Sequence, residues 1–218
     1  MTFAEEKERI RQCGIGIDER IKAVIFNEEE HSYWYNGKEL HGVTGAIGKM
    51  LGKSFPDNDT VMLATMYGHD VHSEVEHYFN DEKKELSSDG AKWVVGTMEH
   101  WEEKLFGDRV EEIKSEVMVS DFEGTASKVD LVLRTLSGND VLFDIKTTSK
   151  FDREYCSLQL SVYKKLYEWN YNRNVTGLYV LGTKSKRAFR IIEQPSSKVE
   201  KILNMNRELK TEVKLSTV

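Results

Sequence analysis

The run Val141-Leu142-Phe143-Asp144-Ile145-Lys146-Thr147-Thr148 begins apolar and ends with a carboxylate and an ammonium. Side chains alternate faces along a strand, so Asp144 and Lys146 point one way and Ile145 the other. The pair reads in two ways. It is either an i, i+2 ion pair on a solvated strand or half of a site that holds a divalent cation and handles a phosphate. Asp130 favours the second reading, because it interrupts the apolar run Val129-Asp130-Leu131-Val132-Leu133 one strand earlier. Upstream, His72 and Glu76 are spaced i, i+4 and share a helix face. Downstream, Gln159 and Tyr163 repeat that spacing.

These residue types suit metal-assisted chemistry at phosphorus. Mg²⁺ takes oxygen ligands and keeps several waters. Asp130, Asp144 and the Ile145 carbonyl would suit it. An imidazole ligand such as His72 shifts preference toward Mn²⁺. Either ion lowers the pKa of bound water and neutralises charge developing on a phosphate. Lys146 would orient the water and stabilise the phosphate, since an unperturbed ammonium is a poor base. Other metal frameworks are excluded. His72 is not followed by Glu and has no second His four residues on, so the zinc-protease pattern fails. The two cysteines, Cys13 and Cys156, form no CxxC pair, which argues against zinc or an iron–sulfur cluster and for a reducing compartment.

The elements that must position these groups follow from periodicity. Residues 1–22 are a charged N-terminal extension, read as a short helix broken at Gly14-Ile15-Gly16. Residues 23–52 form a strand–turn–helix lead-in: strands over 23–26 and 31–35, a tight turn at Asn36-Gly37, and a helix over 45–51 capped by Thr44. A loop with Pro56 leads to a helix over 60–80, with Val61, Ala64, Val71, Val75 and Phe79 as its buried stripe. Gly68 lies one turn before His72. A mid-helix glycine costs about 1 kcal/mol relative to Ala, so something close to the backbone is expected there. A charged loop over 81–88 precedes a second helix through 105, packed through Trp93, Val94, Met98, Trp101 and Leu105.

The period then changes to two. Strands over 113–119, 125–136 and 141–148 make an antiparallel meander. On the middle strand Ala126, Lys128 and Asp130 share one face, with Ser127, Val129 and Leu131 opposite. A helix over 151–171 follows, packed through Tyr155, Leu158, Val162, Leu166 and Trp169. A hairpin of strands 176–183 and 187–194 comes next. Ser197-x-x-Glu200 reads as a capping box opening the last helix. The catalytic core spans 60–183, and 184–218 supply the hairpin return and C-terminal helix.

The ordered set Gly68-x3-His72-x3-Glu76, Gly124-x5-Asp130, Asp144-x-Lys146-Thr147 and Gln159-x3-Tyr163 resembles the PD-(D/E)xK nuclease superfamily, most closely its RecB-type and phage recombination exonucleases. His31-x-Tyr33, Gly37 and Val43-Thr44 are similar to the lead-in of the phage and mitochondrial members. The resemblance implies an α/β fold with a central mixed sheet flanked by helices, the restriction-endonuclease-like core. It implies a divalent-metal-dependent DNA exonuclease. His72, Asp130, Asp144 and the Ile145 carbonyl would hold Mg²⁺ or Mn²⁺, with Lys146 as the catalytic lysine. Gln159 and Tyr163 would position the strand or the lysine, and Glu76 and Glu116 would support the site. A structure-specific endonuclease on the same site is the alternative, as is an inactive nucleic-acid-binding or inhibitory protein of the same fold. The cysteine cluster of iron–sulfur relatives and any helicase motif are absent.

Bulk composition is compatible with one globular domain: 218 residues, 39% hydrophobic, 31% charged and a net charge of −6. An acidic chain of this kind is not a nucleic-acid coat, so phosphate contacts should be local. Lys150 with Arg153, and Lys184, Lys186 and Arg187 at the hairpin tip, are the basic spots expected to meet DNA. Neither a signal peptide nor an apolar span long enough for a membrane helix occurs. The chain therefore reads as soluble and intracellular. The resemblance adds the cytoplasm of a bacterium or phage-infected cell as the expected setting, a single-strand annealing or other recombination protein as the expected partner, and an oligomer as one of the forms that similar exonucleases take.

Overall fold

The computed structural model describes residues 17–53, 59–80, 85–104 and 109–215. The Gly14-Ile15-Gly16 break, the Pro56 loop, Leu105, and the Val61 and Ala64 side chains lie outside the described set.

Helix α1 (Ile17–Lys22) leads into a small antiparallel sheet of β1 (Ile25–Asn27), β2 (Ser32–Tyr35) and β3 (Lys38–Leu40). The turn at Asn36-Gly37 forms as expected, both residues having positive φ, 49° and 72°. Helix α2 (Val43–Met50) starts two residues before the expected boundary. Gly42 occupies its N-cap without a side-chain bond, so Thr44 lies inside the helix and caps nothing. Helices α3 (Asp59–Asn80) and α4 (Asp89–Lys104) follow.

Strands β4 (Val110–Ser120), β5 (Ala126–Thr135) and β6 (Asn139–Lys146) form the expected antiparallel meander. Parallel neighbours need a long crossover, and α5 (Arg153–Tyr171) supplies it, returning the chain as β7 (Asn174–Gly182) parallel to β6. Asp152 caps α5, accepting from the Glu154 and Tyr155 amides at 2.9 and 3.1 Å, which moves its start past Phe151. Strand β8 (Arg187–Arg190) pairs antiparallel with β7 and ends four residues short of the expected Gln194. Helix α6 (Ser196–Leu215) opens directly after Pro195, one residue before the expected capping serine, so Ser197 is helical.

The result is an α/β architecture, a five-stranded mixed sheet of order β4-β5-β6-β7-β8 flanked by helices. Leu158, Val162 and Leu166 of α5 and Ile202 and Leu203 of α6 bury one face against Val117, Val129, Leu142 and Val180. Val71 and Val75 of α3 and Val94 and Met98 of α4 bury the other against Leu131, Leu133, Phe143 and Ile145. Trp93 and Trp101 pack against this second cluster, as their helical spacing predicts. A sheet covered on both faces reads as near-continuous apolar strands, which explains Val141-Leu142-Phe143. Among the described residues no helix is long and apolar enough to cross a membrane.

Gly124, part of the motif that ends at Asp130, has a packing role. A Cβ there would lie 2.7 Å from the Arg207 backbone nitrogen of α6. Gly124→Ala must push helix and turn apart, and should cost about 1–3 kcal/mol of overpacking strain, read as a lower urea midpoint at unchanged m-value.

Candidate functional site

The site begins where the sheet comes apart. The β5–β6 pairing runs only through Leu133↔Val141, Val132↔Leu142 and Leu131↔Phe143. One step further, the Ile145 amide donates to Oδ2 of Asp130 at 2.6 Å. A side-chain carboxylate therefore satisfies a strand amide beyond the end of that ladder. The β4–β5 pairing is interrupted at the same level: Ser115↔Leu131 and Val117↔Val129 are paired, and Glu116 between them has φ 52°. Left-handed backbone is uncommon for a glutamate and costs roughly 1–2 kcal/mol, and such outliers concentrate at functional sites.

The strands change faces across this interruption. Val129 packs toward α5, whereas Leu131, two residues on, packs toward α3 and α4. In a regular strand those positions share a face, and the expected grouping of Val129 with Leu131 is corrected accordingly. The switch brings two carboxylates together at the opening. His72 Nδ1 lies 3.8 Å from Glu116 Oε1 and 3.8 Å from Asp130 Oδ2. His72, Glu116 and Asp130 each offer a ligand atom within 4.8 Å of the others. Nε2 of His72 sits 3.3 Å from the Ile145 carbonyl, which leaves Nδ1 facing the carboxylates. That carbonyl thus holds the imidazole in place, while Glu116, read from sequence only as a supporting residue, stands within the cluster.

Asp144 and Lys146 form the adjoining half. Lys146 donates to Asp144 Oδ1 at 2.9 Å and to Gln159 Oε1 at 3.4 Å. Gln159 in turn donates to the Tyr163 hydroxyl at 2.9 Å, and Tyr163 bonds Ser127 at 3.1 Å. These hydrogen bonds run from the lysine through α5 to β5, and so bring Gln159 and Tyr163 together with Lys146. The ion pair is not on a solvated face, for Asp144 is 1% exposed. Its Oδ2 is buried with no hydrogen-bond partner, an orphaned acceptor beside a site rich in ligand atoms. Unsatisfied buried acceptors are costly, and a cation would satisfy this one. With the imidazole and the Glu116 and Asp130 carboxylates, the donor set fits a divalent ion that accepts both nitrogen and oxygen.

The electrostatics agree. Burial pushes the Asp130 carboxyl above the ordinary range, opposed by His72 and reinforced by Asp144. Burial alone would depress His72, but Asp130 and Glu116 override it and raise the ring to about 9. Burial would likewise depress Lys146, yet Asp144 and Asp130 hold it above the usual lysine range. Lys146 is therefore an ammonium at neutral pH, able to donate hydrogen bonds but not to take a proton. Glu76 is raised by burial and by Glu116.

The cluster opens into a cleft of about 830 Å³, whose far wall is the small N-terminal sheet, with Phe26, His31 and Tyr33. Glu76 and Lys128 also line it. Lys128, not singled out from the sequence, lies 3.7 Å from Glu116 and over the Phe26 ring. Its position two residues before Asp130 was the available signal. Gly68 fulfils its expectation: a Cβ there would meet Thr147 Oγ1 at 3.0 Å, so α3 crosses against the end of β6. The basic spots gather near that same end. Thr183 donates its amide to the Lys146 carbonyl, so the β7–β8 turn carrying Lys184 and Lys186 lies just beyond the end of β6. Lys184 stacks over Tyr67 of α3 at 4.4 Å, and Arg153 over Phe189 at 5.5 Å. Lys150 is exposed in the segment after β6.

No family model matches the chain, and no curated protein sequence matches it.

Metal binding through His72 must displace its proton, since an imidazolium has no lone pair to give. Below the raised pKa of about 9 the ring is mostly protonated. Mn²⁺ affinity should therefore rise with pH, about tenfold per unit for the His72 proton between about 7 and 9, and more steeply below about 7, where the raised Asp130 carboxyl also holds a proton. Calorimetry in buffers of different ionisation enthalpy checks this through the proton count, and His72→Ala should flatten the profile.

Proposed function

We propose that this chain is a divalent-metal-dependent nuclease of the PD-(D/E)xK kind that hydrolyses DNA phosphodiester bonds from an end. The observation that carries the reading is the convergence of His72, Glu116 and Asp130 to within 4.8 Å, beside the ion pair of buried Asp144 with half-buried Lys146. His72, Glu116, Asp130 and Asp144 would hold the ion, Mg²⁺ or Mn²⁺. Bound there, it would supply an activated water and neutralise charge on the phosphate. The chain's own groups define the rest. Lys146, kept protonated by Asp144, would donate to a phosphate oxygen as negative charge builds on it. Gln159, braced by Tyr163, would hold Lys146 at one position, so that little reorganisation accompanies the reaction. Lys150, Arg153, Lys184, Lys186 and Arg187 would track the DNA backbone without reading its sequence.

The same reading carries the biological setting: recombination or repair in a bacterial or phage-infected cytoplasm, alongside a single-strand annealing protein. End-labelled single- and double-stranded DNA with Mg²⁺ or Mn²⁺ tests the chemistry. Degradation should require the metal and fall by about 10²–10³-fold in Lys146→Ala, in line with the loss of a preorganised charge at a reacting centre. Wild-type activity in a folded Lys146→Ala preparation would overturn the assignment. Covalently closed circular DNA should remain intact; its cleavage would replace the exonuclease with an endonuclease on the same residues.

A further inference from the structure

The left-handed glutamate at the centre of the cluster has an identifiable restraint. Asn80, the last residue of α3, lies against the outer edge of β4 and pairs with one peptide residue through both ends of its amide. The Ser115 amide donates to Asn80 Oδ1 at 3.0 Å, and Asn80 Nδ2 donates to the Ser115 carbonyl at 2.9 Å. This is the pairing a neighbouring strand would make, supplied at one residue only. The Ser115 hydroxyl in turn donates to the Asp130 carbonyl at 3.0 Å, at the level where the β4–β5 pairing is interrupted. Glu116 follows immediately at φ 52°. Ser115 is thus held on both sides, by Asn80 from the edge and through Asp130 from β5, and the residue next to it takes the strain.

We propose that Asn80 and Ser115 are positioning residues that clamp β4 beside its break, holding Glu116 in the left-handed conformation that aims its carboxylate at His72 and Asp130. The same helix then contributes twice. His72 offers an imidazole, and Asn80, two turns later, sets the backbone of a carboxylate that faces it. A shift of α3 against the sheet would move both together. The proposal rests on the metal-site reading above for its consequence, but its structural content stands without a metal.

Two measurements separate the two. Mn²⁺ binding to wild type, Asn80→Ala, Glu116→Gln and the double variant forms a cycle. Residues that orient metal ligands typically control affinity by about 10–100-fold. Asn80→Ala, an exposed position, should weaken Mn²⁺ binding on that scale while leaving the thermal transition in place. In the Glu116→Gln background it should add less than about twofold, because the ligand it positions is already lost. An equal loss in both backgrounds, or none in either, overturns the proposal. The second measurement is the Glu116 ¹³Cα and ¹³Cβ chemical shifts in metal-free protein. They should report left-handed backbone in wild type and move toward extended values in Asn80→Ala, with faster Ser115 amide exchange. Unchanged shifts overturn the proposal even if wild type binds no Mn²⁺, an outcome that would separately sink the nuclease reading.

Discussion

Asp130 Oδ2 accepting the Ile145 amide is the contact on which the arrangement depends. It lets β5 and β6 part without leaving a strand amide unpaired, which would otherwise cost about 1–3 kcal/mol. The parting has three consequences. It opens the sheet toward α3, so that His72 reaches both Asp130 and the Ile145 carbonyl. It allows β5 to change faces between Val129 and Leu131 while both remain in apolar clusters. It also leaves Asp144, the next residue of β6, buried on the α5 side with only one oxygen bonded.

The resulting balance of charge is one that a cation could relieve. Glu76, Glu116, Asp130 and Asp144 are gathered in one region against His72, Lys128 and Lys146. Buried carboxylates are tolerated only when paired or coordinated. Without a metal, the pairing falls to a protonated imidazole and to two lysines, each tied to one carboxylate. A divalent ion would replace the His72 proton and relieve the repulsion between Glu116 and Asp130. The net charge of −6 comes from 37 acidic residues against 31 lysines and arginines, so any phosphate contact would be local.

Other buried charges serve the frame, not the site. Asp140, 0% exposed, accepts from Arg173, Tyr167 and the Thr135 amide, tying the start of β6 to the chain entering β7. Asp121 organises the β4–β5 turn through three amides and pairs with Arg207 of α6. Asp140 stands at the opposite end of β6 from Lys146, and Asp121 in the β4–β5 turn. They show why the presence of a buried carboxylate is a weak signal by itself: Asp140 has all its partners within the protein, whereas Asp144 does not.

Much of this was legible in the sequence. The alternation of apolar and polar residues set out the meander. Helical spacing found the stripes of α3, α4 and α5. Asp144 and Lys146, two apart at a strand end, had to share a face, and Gln159 and Tyr163 had to share another. Helix starts at Thr44 and Ser197 were misread because capping residues are common and only backbone geometry selects among them. What the sequence alone could not determine is the break at Asp130 and Glu116. Periodicity assumes an unbroken ladder and carries Val129 and Leu131 to one face. The switch depends on contacts with Ile145, 15 residues away, and between Ser115 and Asn80, 35 residues apart. Only the tertiary structure could decide that Glu116 stands with His72 and Asp130 in a cluster that could hold a metal ion, because the sign of its φ is fixed by packing between distant elements and not by its own neighbours.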